Sequence, residues 1–103
     1  MSRYKVEFNL IDWETPMPGL RYKSFNAENK QIRLVEYTKE MQPHWCEKMH
    51  CGYVLDGILE IKYPNETVVY NPGDFILIPN GPEHKHMGKT LTERVRVIFV
   101  EER

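Results

Sequence analysis

The sequence predicts a single all-β domain, a closed barrel or a sandwich, and three observations carry that expectation. Short runs rich in β-branched and aromatic residues recur along the chain, separated by Pro, Gly, Asn and Asp. Helical periodicity is nearly absent. The length of 103 residues suits one domain around one core and leaves no room for a second.

The runs place strands at about Tyr4–Phe8, Leu20–Phe25, Gln31–Tyr37, His44–Cys46, Cys51–Leu55, Ile58–Tyr63, Thr67–Tyr70, Phe75–Pro79, His84–Met87 and Thr92–Glu101. Asp56-Gly57 between two such runs predicts a two-residue hairpin, because Gly accepts positive φ. Pro64-Asn65 and Asn71-Pro72-Gly73-Asp74 supply further turns. Asp12–Gly19, with Pro16, Pro18 and Gly19 and no periodicity, reads as an ordered connector after the first strand.

Composition narrows the function classes. The chain is 41% hydrophobic, 12% aromatic and 28% charged, which is globular rather than disordered. A net charge of −1 without a cluster of Lys or Arg argues against a nucleic-acid partner. No apolar run approaches the roughly 20 residues of a membrane-spanning helix, so no membrane partner is expected. The N-terminus lacks the basic start and apolar stretch of a secretory signal, so a cytoplasmic location is expected. Cys46 and Cys51, at odd separation, point to opposite faces if they share one strand, which disfavours a disulfide between them.

The chemistry is concentrated between Gln42 and Met87, which hold all four histidines. His44-Trp45-Cys46 and His84-Lys85-His86 each have the i, i+2 spacing that puts two side chains on one face of a strand. His50 adds a donor from the next segment. Imidazole and thiolate are good ligands for divalent transition metals. A single strand His is most often just half-buried and hydrogen-bonded; two same-face pairs plus His50 together favour metal binding. Cys46 reads as a ligand or a residue beside the metal, with a small buried hydrophobe as the alternative. His86 is a reserve ligand, a proton shuttle, or a lumen histidine bonded to Tyr37 or Tyr53. Glu36 shares strand parity with Ile32 and Leu34, which puts it either in the lumen as a general base or at an exposed mouth. Alternation turns Trp45 away from the lumen.

Two stretches carry a family resemblance. His44-Trp-Cys-Glu-Lys-Met-His50-Cys-Gly-Tyr-Val-Leu-Asp-Gly57 and Pro72-Gly-Asp-Phe-Ile-Leu-Ile-Pro79-Asn-Gly81-Pro-Glu-His84 resemble the two motifs of the cupin superfamily, covering about Pro43 to His84. Motif 1 lies at about 44–57 and motif 2 at about 73–84 of one domain spanning 1–103. The first motif usually gives His-x-His, an acid and a Gly; His44, Cys46, His50 and Gly57 fall on those places in order. In the second motif, Gly73, Pro79, Gly81 and His84 keep the family spacing. The resemblance implies a double-stranded β-helix barrel, an apolar lumen and a metal held by His44, Cys46, His50 and His84.

Departures from the pattern matter for the chemistry. Cys46 replaces the second His and His50 the acid, so the donor set is softer than usual and favours zinc or Fe²⁺, with copper, nickel and manganese as the further options. Gly88 stands where the family usually has Asn, and Thr38 where a Gly commonly precedes the first motif. The implied function is a metal-dependent enzyme acting on a small molecule in the lumen, whether dioxygenase, isomerase or lyase. The alternative is a non-catalytic barrel that binds a small ligand or uses the metal structurally. A homodimer, paired through the strand at Tyr4–Phe8, is also expected.

Overall fold

Side-chain alternation decides which face each strand buries, and here it builds two sheets around one core. The computed structural model describes residues 2–102. They form β1 (Glu14–Met17), β2 (Leu20–Ala27), β3 (Lys30–Thr38), β4 (His50–Asp56), β5 (Leu59–Lys62), β6 (Thr67–Tyr70), β7 (Phe75–Ile78), β8 (Met87–Thr90) and β9 (Arg94–Glu102). One antiparallel sheet runs β1-β2-β3-β9-β4-β7 and the other β6-β5-β8. Val35, Val54, Ile76, Ile78, Val95, Val97 and Phe99 of the larger sheet pack with Leu59 and Ile61 of the smaller. This is the all-β double-stranded β-helix architecture. Among the described residues no helix is long and apolar enough to cross a membrane.

Four local expectations are corrected. Tyr4–Phe8 is not a strand; the chain there turns and enters a short 3₁₀ turn at Phe8–Leu10. The first strand lies instead in the segment read as a connector. Pro16 fits inside β1 because β1 is an edge strand, where a missing N–H leaves no ladder bond unmade, and Pro18-Gly19 is the tight turn joining β1 to β2. Asp56-Gly57 is not a hairpin. β4 pairs with β7 and β9, whereas β5 pairs with β6 and β8, so this dipeptide is the corner where the chain changes sheets. The fourth correction falls on His84–Met87 and on the expected strand His44–Cys46, of which only Cys46 is bridged, to His86. Pro82 opens a 3₁₀ turn over Pro82–His84, and the strand begins only at Met87.

The other turns match their chemistry. Tyr63 N–H donates to Glu66 O at 2.7 Å across Pro64-Asn65, closing the β5–β6 hairpin. In Asn71-Pro72-Gly73-Asp74 the Asp74 N–H donates to Asn71 O at 3.0 Å, with Gly73 at φ 96, the geometry of a type II turn.

Glu36 faces outward rather than into the lumen. Val35, not Ile32 or Leu34, is the β3 residue buried in the core, so the opposite parity to that of Glu36 lines the inside. Its carboxylate is nonetheless buried, held by Arg21 Nε at 2.8 Å and Arg96 Nε at 3.0 Å. Burial pushes the Glu36 pKa up, but the hydrogen bonds and charges of both arginines outweigh it and hold the group below 4.5. A depressed native pKa stabilises the fold above the ordinary carboxylate value, and the contribution is lost as pH falls through the native value. Glu36→Gln is therefore expected to cost about 2 kcal/mol at pH 7 in urea unfolding, with the difference shrinking below about pH 4. An equal loss at both pH values would contradict this.

Candidate metal centre

Three donors meet inside the barrel because two backbone features aim them there. Cys46 and His86 exchange both backbone hydrogen bonds, Cys46 N–H to His86 O at 2.8 Å and His86 N–H to Cys46 O at 2.9 Å. Directly opposed antiparallel residues turn their side chains to the same face. His50 opens β4 opposite Ile78, on the inward parity shared with Val54, and comes from the larger sheet rather than from that bridge. One donor atom from each of Cys46, His50 and His86 lies within 4.8 Å of the others. The Cys46 Sγ to His50 Nε2 distance is 3.8 Å.

Each imidazole has its proton assigned by a neighbour that only accepts. His50 Nδ1 donates to Glu101 Oε2 at 2.7 Å, and His86 Nδ1 donates to the His84 carbonyl at 3.0 Å. In the neutral rings both Nε2 atoms are thereby left as lone-pair donors. His86 Nε2 is buried without a hydrogen-bond partner, which is costly for a polar atom unless something occupies the space it faces. Burial, foremost, lowers the His86 pKa below 6.5; the His84 carbonyl opposes that, and the charges of His50 and His44 reinforce it. The ring is neutral at pH 7, as a ligand must be.

These residues fit a divalent ion. Donors bound tetrahedrally at about 2.0–2.3 Å stand roughly 3.3–3.8 Å apart, so small side-chain movements suffice to close the cluster. One sulfur and two imidazole nitrogens form a donor set suited to a divalent transition metal.

The remaining sequence-derived residues are placed as follows. His44 is exposed at the cavity wall, its Nδ1 donating to Gln42 O at 3.2 Å. The His84 ring lies outside the three-donor cluster, 41% exposed and 3.8 Å from Glu83; its contribution there is its carbonyl. Trp45 is half-exposed beneath the Lys85 ammonium at 5.0 Å. Sequence reasoning missed Arg33 and Glu101. Glu101 follows Val95, Val97 and Phe99 at period two on β9 and therefore faces inward, a pattern visible in the sequence. Arg33 shares the inward parity of Val35 on β3.

The cluster opens onto a cavity of about 530 Å³ lined by Leu20, Leu59, Ile61, Ile76, Ile78 and Phe99, with Arg33, Tyr37, His44 and Lys48 among its polar residues. Burial, assisted by the charges of Glu101 and Cys46 and opposed by Arg33, pushes the Tyr37 phenol up to about 12. It stays protonated at neutral pH and is a hydrogen-bond donor.

Two facing antiparallel sheets that enclose inward His and Cys donors define a cupin-type barrel. The chain belongs to the cupin domain family, whose model matches residues 26–101. It is similar to the structure of KdgF from Halomonas sp., at 25% identity and TM-score 0.69, over 88% of this chain and 84% of that one. It also resembles the polyketide cyclase RemF from Streptomyces resistomycificus, at 22% identity and TM-score 0.76 over 99% and 80%. A third likeness is to a cupin-superfamily sugar phosphate isomerase from Silicibacter pomeroyi, at 16% identity and TM-score 0.75 over 96% and 75%. The latter two likenesses concern the fold. A search of curated proteins finds no match.

Proposed function

We propose that this chain is a metal-dependent enzyme acting on a small organic molecule in its lumen, with Cys46, His50 and His86 as the protein ligands. The observation that carries the reading is the buried, partnerless Nε2 of His86, placed with two further donors at the wall of the 530 Å³ cavity. When bound, zinc or Fe²⁺ supplies Lewis acidity toward a substrate oxygen. Three protein donors leave room for that oxygen. The apolar walls exclude water from the bound molecule, and the Tyr37 hydroxyl donates a hydrogen bond to it, or a proton during turnover. His86 thus takes the place that the motif spacing suggests for His84.

Metal loading followed by turnover assays on thiols, diketones and unsaturated sugar acids tests the proposal. Turnover is expected to depend on zinc or Fe²⁺ and to fall about 10²-fold or more in Tyr37→Phe. An ion closed by four protein donors, with His44 completing the shell and no turnover by any candidate, would favour the structural-metal alternative instead.

A homodimer formed through the outer face of β9, β4 and β7 is proposed as the working assembly. Phe75 and Leu77 on the edge strand β7 are 59% and 70% exposed. Tyr53 pairs with Phe75 and Ile98, and Cys51 with Leu77, so these side chains, with Leu55 and Val100, form one patch. The exposed part is on the order of 500 Å², at the high end for a monomer's largest patch. With its polar rim it approaches the ~800 Å² per partner of a standard interface. A second copy meets it isologously; the edge expected at Tyr4–Phe8 is not a strand. Light scattering is expected to give twice the chain mass for the wild type and the single mass for Leu77→Glu. A monomeric wild type would overturn the assignment.

A further inference from the structure

The proposed ligand role of His50 requires its Nε2 to be unprotonated, and a device for that lies outside both sequence motifs. Glu101, on β9 and 8% exposed, accepts from His50 Nδ1 at 2.7 Å through Oε2. Its Oε1 accepts from Arg33 Nε at 2.9 Å and Nη2 at 2.7 Å. The guanidinium is in turn placed against the Tyr22 and Phe99 rings, 5.3 and 5.6 Å from their centres. All three residues sit at one end of the inner face, because β3, β9 and β4 are adjacent and in register, Arg33 opposite Phe99 and Phe99 opposite Gly52.

An ionised carboxylate has no proton to offer, so the ring atom beside it must be the one that carries the hydrogen. We infer that Arg33 and Glu101 are a positioning pair that fixes His50 as the Nδ1–H tautomer, presenting Nε2 as a lone pair to the metal centre. This deepens, and rests on, the metal-centre reading. Arg33 holds Glu101 oriented through Oε1, and Glu101 holds the ring angle and the Nδ1 proton of His50 through Oε2. The negative charge that the family pattern brings from an acid in the first motif is here delivered through an imidazole by a residue near the other end of the sequence. A purely structural Arg33–Glu101 ion pair would hold β3 to β9 equally well but would leave the tautomer of His50 indifferent.

The test uses the full-length, ¹⁵N-labelled protein freed of metal at pH 7.5, with long-range ¹H–¹⁵N correlation spectra reading the histidine tautomers and calorimetry reading zinc affinity. Wild-type His50 is expected as Nδ1–H. Glu101→Gln is expected to shift it toward the Nε2–H form and to weaken zinc binding by about 10–100-fold. Arg33→Met, which leaves Glu101 in place but unclamped, is expected to move both readouts in the same direction by less, and it serves where Glu101→Gln fails to fold. Wild-type His50 in the Nε2–H form, or a tautomer unchanged in both variants, overturns the inference whatever the zinc affinity. The tautomer shift without zinc binding by the wild type supports the positioning pair and removes the metal-centre reading.

Discussion

Replacing His86 with alanine is expected to abolish stoichiometric zinc binding, whereas His84→Ala leaves affinity within twofold of wild type. The two residues are neighbours in sequence and opposites in structure. His86 is 5% exposed, faces Cys46 across a two-bond backbone bridge, and its ring stands 5.1 Å from that of His50 in an edge arrangement. His84 points its ring to solvent and contributes a carbonyl that alanine keeps. On the proposed assignment, removing His86 takes away a ligand outright, so the expected loss exceeds the roughly 10–100-fold typical of an outer-shell partner. Titration calorimetry with zinc on both variants checks it, with circular dichroism confirming that the barrel persists. Loss of affinity in His84→Ala with retention in His86→Ala would reverse the assignment.

The second large effect is expected at the corner between the sheets. Gly57 adopts φ 81, and a Cβ there would lie 2.1 Å from the Arg94 carbonyl oxygen and 2.8 Å from Val95 Cα. Val95 is fully buried in the core, so the backbone it belongs to has nowhere to retreat. Gly57→Ala is expected to cost about 3–5 kcal/mol, a large part of the 5–15 kcal/mol typical of a domain. Gly73 is the comparison. Its φ is 96, but the nearest atom to an added Cβ is the Tyr53 hydroxyl at 3.8 Å, so Gly73→Ala should incur only the left-handed backbone penalty of about 1–2 kcal/mol. Urea denaturation of both variants measures the difference. Equal losses would mean that the close approach to Arg94 does not hold in solution.

Much of the architecture is legible in the residues themselves. Thr67–Tyr70 and Phe75–Ile78 stand out as β-branched and aromatic runs bounded by Pro, Gly and Asn, and the turn chemistry between them is read correctly. What misleads is long-range pairing. Asp56-Gly57 has the composition of a hairpin loop, yet the partners of β4 and β5 are chosen by burial across the whole barrel, and the flexibility of glycine serves a change of sheet instead. In β3, Ile32 and Leu34 on one face compete with Val35 on the other, so parity alone cannot say that Glu36 faces outward. The site shows the same limit. Motif spacing singles out His84, which in the structure closes a 3₁₀ turn opened by Pro82, whereas it is the His86 ring that is buried. Arg33 and Glu101 lie outside both motifs and converge on His50 only through strand register.

The measurement that bears most directly on the metal centre is X-ray absorption spectroscopy of zinc-loaded protein, compared with Cys46→Ser. The proposed centre requires one sulfur at about 2.3 Å and at least two imidazole nitrogens at about 2.0–2.1 Å in the wild type, with the sulfur gone in the variant. A first shell of oxygen and nitrogen only, identical in both proteins, would contradict it.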